Sequence, residues 1–430
     1  PRRNRDLSDH RPTPRILKRP GRNGAAPPCN AFEEPAMPRP FAVLRLCIFV
    51  LPWLLVGTTI AQSDNDPPDE PVAESPPVST PLETDFDRES MMLVELVRER
   101  RGQPALVIAI LDDDELLGAF SDGRVTINEN VDQSRIDLAH KFHLGAVTQP
   151  LTATMIATVI RDGALSWSTT VLDVFPELRG RIRMEYEAVT LRQYLTHTAG
   201  LVPVTDLEGE AYQYLTTLEG SPVKQRYDAL PQILSYEPVV APGNYEFSNA
   251  GFLVAAAMAE RATGRSWEDL MNERVFEPIG MTSAGFGFPL KPTAIDQTRG
   301  HAVNAEGQLQ AQPVFGRFQI PAALAPALDV HCTIIDLARF AQVNLRGLRD
   351  LPTVYENELI LELFQPVTPS RSVAWMHMTV AGQPADWFTG SAGTFCASIA
   401  LWPEHNIAAV SATNAGNGYR ACLDITQQLV

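Results

Sequence analysis

Hydrophobic and polar positions alternate with two different periods along this chain, and the switch between them outlines its elements. "SMMLVELVRERRG" has helical spacing and stops at Gly102. Leu151, Met155, Ile156, Val159 and Ile160 recur on one helical face, Pro150 falls in that helix's first turn and Gly163 ends it. "AGFLVAAAMAERATG", "IIDLARFAQVNLRG" and the closing "GYRACLDITQQLV" read as further helices. "ALVIAILDDDELLGAF" reads as two short strands joined by an acidic turn, and "FCASIALWP" and "IAAVSATN", separated by "EHN", as a second hairpin. Strands near both ends with helices between them predict an α/β (α+β) fold. Its sheet is mixed antiparallel, drawn from both chain ends and flanked by helices, with a mostly helical region inserted over roughly 165–345.

The first 84 residues carry no such pattern, and three segments are predicted there. Residues 1–36 are rich in arginine and proline and are expected to be a non-structural upstream extension. Residues 37–61 read as a signal peptide: Arg39 and Arg45 precede the uncharged 16-residue run Leu46–Ala61, and Thr59 and Ala61 suit the −3 and −1 positions of a cleavage site. That run is short for a stable bilayer span of about 20 residues, so export to the periplasm or outside, with no stable membrane span after processing, is the expectation. Residues 62–84 hold six prolines and many acids and are predicted to be a disordered linker before a domain at 85–430. Of the 430 residues, 45% are hydrophobic, enough for a large core. The net charge is −16. Residues 1–61 carry ten Lys/Arg and four Asp/Glu, so the remainder stands at −22, which excludes nucleic acid as an expected partner. Cys332, Cys396 and Cys422 follow the signal segment, allowing one disulfide of undetermined pairing.

Six distinctive phrases follow one another between about Leu93 and Val430. They are "FHLGAVTQPLTATM", "VTLRQYLTHTAGL", "APGNYEFSNAGFL", "VFEPIGMTSAGFG", "IIDLARFAQ" and "WFTGSAGTFCASIALWP". Together they resemble the serine β-lactamase and penicillin-binding-protein family, on the class C-like branch that includes esterases and D-amino peptidases. The resemblance implies a β-lactamase/transpeptidase-like fold and three motifs. The first, Ser-x-x-Lys on one helical turn, pairs nucleophile and base; here it falls on Ala146 and Gln149. The second, Tyr-x-Asn, falls on Phe247 and Asn249. The third, a cation followed by a small residue and Gly, falls on Phe388, Thr389 and Gly390. Nucleophile, base, phenol and cation are therefore all replaced. Asn249, Thr389 and Gly390 remain, and the backbone N–H groups of Ala146 and Ser391 suit an oxyanion hole, which needs no side chain.

This pattern predicts a family member without catalysis, a pseudoenzyme whose cleft (Ala146, Asn249, Thr389, Gly390, Ser391) binds a ligand non-covalently. Candidate partners are a cell-wall peptide, a small ester or amide, or an envelope protein; no cofactor and no metal are expected. With Phe388 in place of a cation, weak binding of carboxylates is expected. The alternative is an active serine hydrolase with a relocated nucleophile. The one Ser-x-x-Lys match is Ser221–Lys224, whose Pro222 suits a capped helix start instead. Thr148 points away from Ala146 around the helix and reads as a packing residue. Ser248 and Ser391 are placed at the cleft rim by the resemblance, with no base beside them in sequence. His197 is expected to be a scaffold histidine, and His140 and His143 (H-x-x-H) to be surface residues rather than ligands.

Overall fold

The computed structural model describes residues 84–127, 135–289, 297–313 and 319–429, all within the compact unit Val78–Val430. The extension, the signal segment and nearly all of the predicted linker lie outside the described residues. Thr84, the last linker position, caps the first helix, Asp85–Arg100, by a reciprocal pair of bonds with Asp87.

Twelve strands are described. β1 (Ala105–Leu111) and β2 (Leu116–Gly123) form the predicted acidic hairpin, and β11 (Cys396–Trp402) and β12 (Ile407–Thr413) the "EHN" hairpin. With β8 (Arg371–Ser372), β9 (Trp375–Val380) and β10 (Gln383–Ser391) they make a seven-stranded sheet in the order β2-β1-β12-β11-β10-β9-β8. Every pairing is antiparallel, and the first and last strands of the chain meet through Leu106 opposite Thr413. β1 and β11 are buried along their whole length, because both faces of the sheet are covered and neither side calls for polar residues. Leu106, Ile108 and Phe120 pack outward under the first helix and the last, Tyr419–Leu429. Val107, Ala109, Ile399 and Val410 join the larger core formed with helices Thr148–Arg161, Asn249–Thr263 and Ile334–Leu348.

The inserted region is less purely helical than expected. It contains β4 (Gly285–Phe286) and β7 (Val330–Thr333), which join β3 (Lys141–His143) in a three-stranded sheet, and the hairpin of β5 (His301–Val303) with β6 (Leu309–Ala311). Cys332, Cys396 and Cys422 are buried free thiols. Among the described residues no helix is long and apolar enough to cross a membrane.

Candidate functional site

β10 runs directly against a tight 3₁₀ turn, Gly145–Val147, and two glycines make that approach possible. A Cβ on Gly390 would lie 2.4 Å from the Val147 nitrogen and 2.6 Å from the Ala146 nitrogen. A Cβ on Gly145, whose φ is +54°, would lie 2.5 Å from the Ser391 carbonyl carbon. Backbone therefore meets backbone with no room for a methyl group, and the first and third motifs are brought together as the sequence implied. Gly390→Ala should push the strand off the turn and cost about 2 kcal/mol, read as a lowered midpoint in urea unfolding.

Behind this contact the helix Thr148–Arg161 begins. Thr148 is buried, and its hydroxyl accepts the Val330 N–H at 3.0 Å, a packing role as expected. Ala146 is 7% exposed and Gln149 is fully buried. The Gln149 amide Nε2 donates to the Asn249 side-chain oxygen at 3.1 Å, joining the first and second motifs across 100 residues. Asn249 in turn donates Nδ2 to the Val204 carbonyl at 3.2 Å. A carbonyl only accepts, so Asn249 must turn its oxygen to Gln149, and Gln149 must answer with its NH₂. Gln149 Oε1 is buried and has no hydrogen-bond partner among the described residues.

Phe247 lies against the His197 ring, centroids 4.6 Å apart. His197 is buried, and its Nδ1 accepts the Ser248 N–H at 3.1 Å. Burial, reinforced by the positive charge of Arg371, pulls His197 from 6.5 down to about 3. His331, half-buried, falls to about 4, chiefly through desolvation. Neutral imidazoles in the fold and ordinary ones in the unfolded chain mean that stability is fully present above pH 6.5 and declines as pH falls toward those values. Between pH 7 and pH 5 each should cost about 2 kcal/mol. Urea titrations at the two pH values, with His197→Asn and His331→Asn flattening the difference, check this.

The third-motif positions alternate along β10. Phe388 and Gly390 share one face and Thr389 and Ser391 the other. Phe388 is 5% exposed and belongs to the main core. Thr389 donates its hydroxyl to the Ala397 carbonyl at 3.1 Å. Ser391 donates to the Gly416 carbonyl at 3.1 Å and accepts the Gly393 N–H at 3.0 Å. Both hydroxyls are thus tied to backbone, although both had been expected to line the cleft.

Three further expectations change or sharpen. Ser248 is not at a rim: it is buried, its hydroxyl donates to the Val202 carbonyl at 2.6 Å and accepts the Ala250 N–H, and it caps the Asn249–Thr263 helix. His143 is no surface residue. It is fully buried, with Nδ1 accepting the Gly145 N–H at 3.3 Å, so Nε2 carries the proton and donates to Asp329 at 3.0 Å. It therefore steadies the turn that carries Ala146, a role that H-x-x-H spacing did not signal. Ser221 caps its helix through the Lys224 N–H as expected, and the Lys224 amine is paired with Asp228. Sequence reasoning also missed Arg371, whose guanidinium lies 3.8 Å over the Tyr245 ring, two residues before Phe247. A cation thus stands beside the second motif, and Phe388 alone is a weaker argument against carboxylate ligands. Among the described residues no group of three or more His, Cys, Asp or Glu is placed to hold a metal.

The family profile described as Beta-lactamase matches residues 93–428. The chain belongs to the beta-lactamase family. Among curated relatives, "Beta-lactamase" of Escherichia coli (strain K12) is 28% identical over 212 residues, 48% of each chain. "Esterase EstB" of Burkholderia gladioli is 30% identical over 150 residues, 34% of this chain and 38% of that one. The chain thus spans half or less of the length of these two relatives. Among solved structures, one described as a class C beta-lactamase superposes with a TM-score of 0.64 at 18% identity, covering 81% of this chain and 96% of that one. The fold and the serine-hydrolase kinship stand on these matches. Within that family frame, Ala146 has no oxygen to acylate, and Gln149 offers no titratable group.

Proposed function

We propose that this family member is exported and binds a small amide- or ester-bearing ligand, such as a cell-wall peptide, without cleaving it. One observation carries the reading: at the nucleophile–base pair stand a methyl group, Ala146, and a buried carboxamide, Gln149, locked to Asn249 at 3.1 Å. A serine made reactive elsewhere needs a neighbouring base. The hydroxyls of Ser391 and Ser248 instead donate to backbone carbonyls, and the Ser221 hydroxyl accepts a backbone N–H. Export rests on the charged, apolar and small-residue order of residues 37–61.

Incubation with a fluorophosphonate and with a penicillin, followed by intact-mass measurement, tests the reading. The unmodified mass is expected in both. A stoichiometric adduct that vanishes in Ser391→Ala or Ser221→Ala would establish the relocated-nucleophile hydrolase instead.

A further inference from the structure

Cys396 opens β11, opposite Ser391 of β10 on one side and Thr413 of β12 on the other. A Cβ on Gly418 would lie 3.2 Å from the Cys396 Cβ, so the Cys396 side chain sits under the start of the last helix. Cys422 donates its N–H to the Gly418 carbonyl at 3.0 Å. It therefore follows Gly418 by one helical turn on the same face, and its Sγ lies 3.9 Å from the Cys396 carbonyl oxygen. Both residues are buried, and contact with the Cys422 thiol, together with burial, pushes the Cys396 thiol well up. Cys332 stands apart in β7, paired across the strand with Phe142.

We propose that Cys396 and Cys422 are a cross-linking site, joined by a disulfide when the chain folds in an oxidising compartment. The oxidant is a disulfide, small-molecule or protein-borne. The two cysteine thiols give up two protons and two electrons, one S–S bond forms between them, and the oxidant's S–S bond is reduced to two thiols. Neutral, buried thiols exchange slowly, so the bond forms during folding, before the helix closes over β11. The bond would close a loop spanning 26 positions and fasten the last helix to the strand end paired with Ser391. The same segment already holds that end through the Ser391 hydroxyl and the Gly416 carbonyl. The cross-link thus braces the Ser391 end of β10 through its paired strand β11. It goes beyond the ligand-binding reading and does not depend on it.

The full chain is refolded in glutathione buffers of stepped redox ratio, quenched with iodoacetamide in guanidinium chloride so that every free thiol is reached, and digested with trypsin. Cleavage after Arg371 and Arg420 separates the Ser372–Arg420 peptide, which holds Cys396, from Ala421–Val430, which holds Cys422. The expected result is a linked pair two hydrogens lighter than the sum, with Cys332 alkylated. A fall in Tm of about 5 °C on reduction is also expected, absent in Cys422→Ala and retained in Cys332→Ala. Alkylation of both peptides at every ratio, or linkage of either through Cys29, Cys47 or Cys332, overturns the proposal.

Discussion

The combined variant Ala146→Ser, Gln149→Lys, Phe247→Tyr and Phe388→His should hydrolyse an activated ester measurably above buffer, whereas the unaltered chain is expected to stay at background. In a serine hydrolase, losing the nucleophile alone costs on the order of 10⁶ in kcat, so under the proposed reading the starting point is effectively zero. The backbone is prepared for the change. The close approaches of Gly145 to Ser391 and of Gly390 to Ala146 fix the 146 position against β10, and Asn249 already accepts from the 149 side chain at 3.1 Å, so a lysine amine there has a partner. Restoring nucleophile and base together should raise turnover about 10²–10⁴-fold over the same variant with both Ala146 and Gln149 retained. The Phe388 change contributes least, because a buried imidazole loses its charge. A variant that keeps its native circular dichroism yet shows no turnover would mean the cleft has closed, and the ligand-binding proposal would go with it.

Arg226→Met should be the most destabilising single change away from the site. Arg226 is fully buried. Its guanidinium reaches Glu260 at 2.6 Å, Glu268 at 2.7 Å and the Ala322 carbonyl at 3.0 Å, tying together helices Pro222–Ile233, Asn249–Thr263 and Trp267–Met271. Removing one partner of such a buried group costs about 3–5 kcal/mol, mostly because the other charge is left uncompensated. Burial already pushes Glu260 above its ordinary value, opposed chiefly by Arg226. Without Arg226 it rises further, so the folded variant takes up a proton more readily than the unfolded chain and recovers stability as pH falls. Urea unfolding should therefore show a smaller deficit at pH 5 than at pH 7. Adding Glu260→Leu should recover part of the loss at pH 7. An equal deficit at both pH values would contradict this account.

Periodicity made the long elements legible. The two hairpins and the helices over 148–161, 249–263 and 334–348 follow from runs of apolar spacing bounded by glycine or a capping residue. β9 was missed because "WMHMTV" offers only a partial alternation, and its position is set by pairing with β10 rather than by its own residues. β3, β4 and β7 are two to four residues long, too short for any period to register, and are held by partners far away in the chain. At the site, the substitutions at 146, 149, 247 and 388 were plain once the motifs were aligned. What the sequence did not reveal is what the replacements touch. The Gln149–Asn249 bond, the Asp329 partner of His143 and the stacking of Arg371 on Tyr245 all join residues more than 90 positions apart. No local pattern encodes such contacts. Ser248 was misplaced for the opposite reason: its capping role is local, but the motif position drew it toward the cleft.

The clearance that Gly145 and Gly390 give between the turn and β10 has a consequence for how relatives of this chain are recognised. Steric necessity keeps these two residues whether or not a reaction follows, since any side chain would force the hairpin edge away from the turn. A search that scores glycine signatures is therefore reading clearance, and it will rank inert and working members alike; only the oxygen and nitrogen atoms hung on that frame tell them apart.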